Sequence, residues 1–387
     1  MDDCGPVPPA QAAGVATLLV GGGPTGLISL VEFDGTKFTT IANNTEAGTS
    51  ASWQLFRPNS TQLYAVDENS GNTRLFNIDA QTKQITKVQD AAGSTGVVFL
   101  EFNKDRTRMA GAAFGNSTLD FWDVSSPDGT LKLLKTIAVP TDVGPVTDRQ
   151  AAPHPHQILL DPSGRFFVAN DLGTDRVLVV DSLDDKFELT NSIKVPKAGA
   201  GPRHAAFFPP GADKATHYIL LQEILSLIQV YKLDYVDNTI NFTPTQEISS
   251  FGNLALFGPA NSTTASAGEI QITPDGKDIY VSNRLTGNAT DSLAHFAVVQ
   301  GAGGDITLEF RDTVSSGGLI PRMFSLGLDA FSSTLFATNQ GGASGLLAFT
   351  RDASGALSPQ PAASVALDVF APAGTTNGPQ FVQQIFL

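Results

Sequence analysis

The sequence predicts an all-β fold, a seven-bladed β-propeller, and three observations predict it. Apolar or alternating runs of about five to eight residues, bounded by Gly, Asn, Asp and Pro, fill the chain, and no amphipathic helix of three turns interrupts them. These runs recur as a unit: an apolar strand, a turn of the D/N-P/x-x-G kind, a second strand, a polar loop, a third strand and a fourth run. The two ends of the chain carry complementary fragments of that unit.

In chain order, GVATLLVGG (14–22), GLISLVEF (26–33) and KFTTIA (37–42) match the second, third and fourth strands of a copy. Full copies begin at 53 (WQLFRPNSTQLYAVDENSGNTRLFNID) and 98 (VFLEFNKDRTRMAGAAFGNSTLDFWDV). The clearest is HQILLDPSGRFFVANDLGTDRVLVVD (156–181), followed by KFELTNSIKV (186–195). Others begin at 203, at 268 with ITLEFRDT (306–313) as fourth run, and at 322. PQFVQQIFL (379–387) then supplies a first strand. Six four-strand units spaced by roughly 45 to 65 residues indicate a propeller. The seventh blade is stitched from both termini, which leaves no dangling sheet edge. Two β-sandwich domains would not account for the complementary ends. Length alone would suggest two or three domains. The repeat overrules that, and residues 1–387 are read as one domain, with 1–13 a flexible N-terminal segment.

Composition narrows the function classes. The chain carries 24 Lys+Arg against 38 Asp+Glu, a formal charge of −14. Such a surface repels phosphate backbones and lacks a polybasic membrane patch, so neither nucleic acid nor a membrane is the expected partner. No apolar run approaches the roughly 20 residues of a membrane-spanning helix. The single cysteine, Cys4, excludes an intrachain disulfide and by itself favours a reducing compartment. Six N-x-S/T sequons point the other way. They begin at Asn43, Asn59, Asn116, Asn241, Asn261 and Asn288, about twice the number chance supplies. The start MDDCGPVPPAQAAG lacks the apolar core of a signal peptide and fits a mature start with an added initiator Met. A secreted glycoprotein is expected, with a cytoplasmic protein as the alternative.

In each unit the first strand is taken as innermost and antiparallel to the second. The start of one and the end of the other therefore share one face of the disc. Unusual polar residues collect at those positions. His154 and His156, Arg203, Glu269 and Arg322 lie at first-strand starts; Glu68, Asp171, Glu223 and Arg284 lie at second-strand ends. They are expected to surround one mouth of the central channel. Blander roles compete: Asp171 in NDLG as a turn residue, Glu68 as a cap, and Arg203, Glu223 and Arg284 as an ion network between blades. His204, next to Arg203, is expected to point away because strand neighbours alternate. Asp161 and Asp275 read as turn residues, His217 and His295 as structural. Two long connections, 138–155 and 249–267, each lead from a fourth strand to the next blade and are expected to wall a pocket. The chain holds no C-x-x-C, H-E-x-x-H, DxDxDG or G-x-S-x-G signature, so no metal and no serine triad is expected. GGGPTG (21–26) leads into a strand and is a turn, not a phosphate cradle.

The segments HPHQILLDPSGRFFVANDLGTDRVLVV, GPRHAAFFPPG, LLQEILSLIQVYKLD, GEIQITPDGKDIYVSNR and IPRMFSLGLDA resemble, in the same order, the seven-bladed lactonase family. That family includes bacterial 6-phosphogluconolactonase and fungal carboxy-cis,cis-muconate cyclase. The resemblance implies opening or closing of a lactone ring on a small acidic or sugar-derived substrate, a scheme that requires no cofactor; a monomer is expected. The resemblance assigns catalysis to His156, Arg203, Glu223 and Arg284; position at the same mouth adds His154, Arg322, Glu68, Glu269 and Asp171 as expected binding residues. Arg322, in PR-x-F, matches the gluconolactonase branch. The residue types suit the chemistry. A guanidinium stabilises a developing oxyanion or holds a carboxylate, and a histidine or glutamate moves a proton. The competing class is a secreted propeller that binds a ligand or protein without catalysis.

Overall fold

A computed structural model describes residues 14–387; the expected flexible segment 1–13, with Cys4, lies outside them. The described chain forms seven four-stranded antiparallel sheets. In chain order the sheets span residues 54–92 (blade 1), 97–138 (blade 2), 155–194 (blade 3), 202–249 (blade 4), 266–315 (blade 5) and 324–366 (blade 6). Blade 7 is composite. The C-terminal strand Phe381–Ile385 pairs with Ala16–Gly22, which continues into Leu27–Phe33 and Phe38–Thr45. The register runs from Thr17 opposite Ile385 to Gly21 opposite Phe381. The closure expected from the complementary termini is therefore present.

Burial fixes which strand is outermost. Fourth strands such as Lys132–Ala138 are exposed along most of their length, whereas second and third strands such as Phe166–Asp171 and Arg176–Asp181 are buried. The inner strands are buried on both faces, so they read as near-continuous apolar runs. The core is divided into seven apolar clusters, each bridging two neighbouring blades. Leu19 and Phe381 of blade 7, for example, pack with Leu63 and Phe76 of blade 1. No blade can bury both faces alone, so stability comes from the closed ring.

The turn residues act as expected. Asp161 accepts from the amide of Phe166 and from the Ser163 hydroxyl, with Gly164 at φ +81° completing the turn. Asp275 accepts from Thr273 and from the Lys277 amide beside Gly276 at φ +70°. The connection 249–267 contains one short helix, Leu254–Phe257. The connection 138–155 is pinned to the disc by Gln150. The Gln150 Nε2 donates to the Leu172 carbonyl and to Asp175 Oδ1, both at 2.8 Å.

Candidate active site

The innermost strands are irregular where the polar residues lie. In blade 3, Pro155 pairs with Asp171 and Gln157 with Asn170, leaving His156 as an extra residue. In blade 4, Pro202 pairs with Gln222 and His204 with Leu221, leaving Arg203. Blade 2 has the same shift at Val98, and blade 5 between Ala267 and Ile270. A bulge inserts a residue and re-aims side chains, so strict alternation fails at these points. The expectation that His204 points away from Arg203 is corrected for this reason: both face the central chamber.

Glu223 is the hub of the mouth. It follows the second strand of blade 4, and its amide donates to the Gly201 carbonyl at 2.7 Å. Its Oε2 accepts from Arg203 Nη1 at 2.8 Å and pairs with Arg284 Nη2 at 2.9 Å. Its Oε1 accepts from Arg149 Nη2. Arg203 also donates from Nε to the Gly268 carbonyl at 2.8 Å, and its Nη1 meets His156 Nε2. Arg284 donates from Nε to the Ala267 carbonyl at 3.2 Å. Beside this group, Arg322 Nη2 donates to Glu68 Oε1 at 3.1 Å. Four guanidiniums thus face two carboxylates in a protein of formal charge −14.

This crowding sets the protonation states. Burial alone would raise the Glu223 carboxyl, but the charges of Arg284, Arg203 and Arg149 hold it at about 2. Burial and the like charge of Arg284 pull Arg203 down to about 9, which leaves it protonated at neutral pH. Burial, reinforced by Arg203, takes His156 well below the usual imidazole range, so its ring is neutral. Burial raises the Glu68 carboxyl, but the Arg322 and Arg203 charges together with hydrogen bonding hold it below its ordinary value. Because Glu223 is ionised and both its oxygens are engaged, it is a counter-ion and anchor for the arginines. The base role open to it from sequence does not fit this geometry.

Below the arginines lies a narrow chamber walled by Trp53, Val98, Met323 and Gln380, with His156, Arg203, His204 and Arg322 contributing their polar groups. The remaining predicted residues are arranged differently. Glu269 is buried in the innermost strand of blade 5 and pairs through Oε2 with His204 Nδ1 at 2.9 Å. His154 stacks on Phe114 at 4.1 Å, and its Nδ1 meets the Phe114 carbonyl at 2.9 Å. Asp171, expected among the binding residues, is occupied by its own turn. It accepts from the amides of His154 and Gly173 at 2.7 and 3.0 Å and from the Thr174 hydroxyl at 2.8 Å. Among the described residues no group of three or more His, Cys, Asp or Glu is placed to hold a metal ion.

Arg149 was not singled out from sequence. It lies on the connection 138–155, and its only sequence signal is that this loop is long. The neighbouring Gln150 is fully buried and holds the loop, while the Arg149 side chain remains 40% exposed at the rim.

Fold and site together define a seven-bladed propeller in which four guanidiniums meet two carboxylates beside a histidine-lined chamber. Residues 17–367 match the family model described as Lactonase, 7-bladed beta-propeller, and the chain belongs to that family. A probable 6-phosphogluconolactonase from Arthroderma benhamiae is 33% identical over 265 residues, covering 67% of this chain and 64% of that protein. The chain thus aligns with less than two thirds of that relative. The 6-phosphogluconolactonase of Bacillus subtilis is 28% identical over 298 residues, 76% of this chain and 78% of that one. Among solved structures, a protein from Lactobacillus plantarum superposes with a TM-score of 0.76 at 25% identity, covering 96% of this chain and 100% of its own. A periplasmic gluconolactonase from Pseudomonas aeruginosa reaches 0.78 at 20% identity, over 96% and 99%, a likeness of fold alone.

Proposed function

We propose that this protein is a lactonase that hydrolyses, or in reverse closes, the lactone ring of a small acidic or sugar-derived substrate. The observation that carries this is the convergence of Arg203, Arg284 and Arg149 on Glu223 beside a neutral His156. Lactone opening builds negative charge on the carbonyl oxygen. Arg203, fixed by Glu223 and the Gly268 carbonyl, is a preorganised donor for that charge. Since Arg203 donates to His156 Nε2, the neutral imidazole carries its proton on Nδ1, an atom without a partner. His156 therefore keeps an N–H donor that no protein group accepts. Arg149 and Arg322 are more exposed, at 40% and 16%, and suit an acidic substituent at the rim. Carboxymuconate-type lactonisation is the close variant, in which a carboxylate oxygen adds to a carbon–carbon double bond and a proton goes to carbon.

We further propose that the protein works outside the cell as a glycoprotein. All six sequon asparagines, Asn43, Asn59, Asn116, Asn241, Asn261 and Asn288, are exposed, which supports this assignment.

The test is a pH-stat screen of aldono-, uronic and muconolactones with wild type and Arg203→Ala. At least one lactone should be opened, and Arg203→Ala should lower turnover about 10²-fold or more. The variant should stay folded, because Glu223 keeps Arg149 and Arg284 as partners. A folded, fully active variant makes Arg203 a structural ion-pair residue. A wild type that binds such lactones without opening any is a non-catalytic binding propeller.

A further inference from the structure

The scheme above lacks a group to take a proton from water, and the chamber contains a histidine that it does not use. His204 is buried, with Trp53 and Phe99 packed edge-on to its ring at 5.7 and 5.6 Å. Its Nδ1 lies 2.9 Å from Glu269 Oε2. An ionised carboxylate only accepts, so Nδ1 carries the proton and Nε2 keeps its lone pair. That Nε2 has no hydrogen-bond partner, although unpartnered buried polar atoms are rare. His204 lines the chamber together with His156, Arg203 and Arg322, and the chamber has room for on the order of one water molecule. The His156 ring is 5.1 Å away. The two imidazoles thus offer opposite free atoms: an N–H donor on His156 and a lone pair on His204.

We propose that His204, oriented by Glu269, is the base that activates water for lactone opening, a step that rests on the lactone chemistry proposed above. The water oxygen bonds to the carbonyl carbon as one of its protons moves to His204 Nε2. The negative charge moves to the carbonyl oxygen, where the Arg203 guanidinium stabilises it. When the tetrahedral centre collapses, the ring C–O bond breaks and the ring oxygen takes the proton from Nε2. His204 ends neutral and the product is a hydroxy acid. Glu269 touches His204 and not the reacting atoms, so it is a positioning residue.

The charged and titratable groups around His204 are Glu269 from blade 5, His156 from blade 3, Arg203 from its own strand and Arg322 ahead of blade 6. Blades 1 and 2 present the aromatic rings of Trp53 and Phe99. Burial and the Arg203 and Arg322 charges lower the His204 pKa against the raising effect of Glu269, so the basic form is present at neutral pH.

The decisive variant is His204→Phe, which keeps an aromatic ring between Trp53 and Phe99 and removes the nitrogen. On a lactone that wild type opens, kcat should fall about 10²- to 10⁴-fold, as for loss of a general base, with KM changed less than about threefold. Glu269→Gln should move the acid limb of kcat/KM to lower pH, because the group that raises the His204 pKa is gone. Imidazole ¹⁵N NMR of the resting protein at pH 7 should show His204 protonated at Nδ1 only. A folded, fully active His204→Phe overturns the assignment of the base and leaves the lactone chemistry standing. If that variant fails to fold, an unmoved acid limb in Glu269→Gln overturns it. A proton on Nε2 at pH 7 overturns it whatever the substrate. A wild type that opens no lactone overturns the lactone chemistry, and this step with it.

Discussion

Glu223 holds three guanidiniums with one carboxylate, and that makes the mouth sensitive to acid. Its folded pKa of about 2 lies below its ordinary 4.5. A depressed carboxylate stabilises fully above the unfolded value, and that contribution is lost as the pH falls towards the folded one. The difference corresponds to about 3 kcal/mol. Urea melts should therefore show Glu223→Gln less stable than wild type by about that amount at pH 6. The gap should shrink by about half at pH 3. A gap of the same size at both pH values would show that Glu223 is not held ionised by the arginines. The same residue explains why single arginine losses are tolerable: truncating one partner leaves Glu223 paired, whereas truncating Glu223 leaves buried cations unpaired, which typically costs about 3–5 kcal/mol.

At the scale of elements, the loop 138–155 and the innermost strand of blade 4 are fastened to one carboxylate. Asp175 accepts from Gln150 Nε2 at 2.8 Å and from the amides of Gly199 and Gly201 at 2.6 and 2.9 Å. Gly201 leads directly into the strand Pro202–Phe208 that carries Arg203. Arg149 and Arg203 are thus set in relation to each other through Asp175. Gln150→Ala leaves the Leu172 carbonyl and one Asp175 oxygen short of a donor, a loss of about 1–3 kcal/mol. With the loop released, KM for an acidic lactone should rise more than kcat falls. An unchanged KM in a variant with a lowered melting temperature would separate the loop from substrate binding.

For the whole molecule, closure of blade 7 is the critical contact between distant parts of the chain. Phe381 and Val382 are fully buried and Phe381 also meets Trp53 edge-on at 5.3 Å. Ending the chain before Phe381 exposes the edge of Ala16–Gly22 and opens apolar clusters on both sides of blade 7. The truncated protein should lose its cooperative melt and elute as aggregate on size exclusion. A monomer with wild-type melting would refute the closure argument. The exposed sequons make a second prediction at this scale. Protein secreted from a eukaryotic host should lose mass on treatment with an Asn-glycan-removing enzyme; an unchanged mass in protein recovered from the cytosol would favour the cytoplasmic alternative.

The repeat of apolar runs and D-P-S-G-type turns determined the number of blades, because strand period and turn chemistry are local properties. The complementary termini determined the closure. His156, Arg203, Glu223 and Arg284 could be placed at one mouth because antiparallel pairing alone decides which strand ends share a face. Asp171 carries the same positional signal, but its local turn competes for its oxygens, and only the folded turn shows which contact wins. His204 and Arg149 were decided by tertiary structure. A bulge beside Arg203 breaks the alternation by which a sequence assigns side chains to faces. Arg149 meets Glu223 across 74 positions of chain, from a loop that no periodicity constrains. Faces and turns follow from neighbours in sequence; which loop reaches which carboxylate follows only from closing the ring.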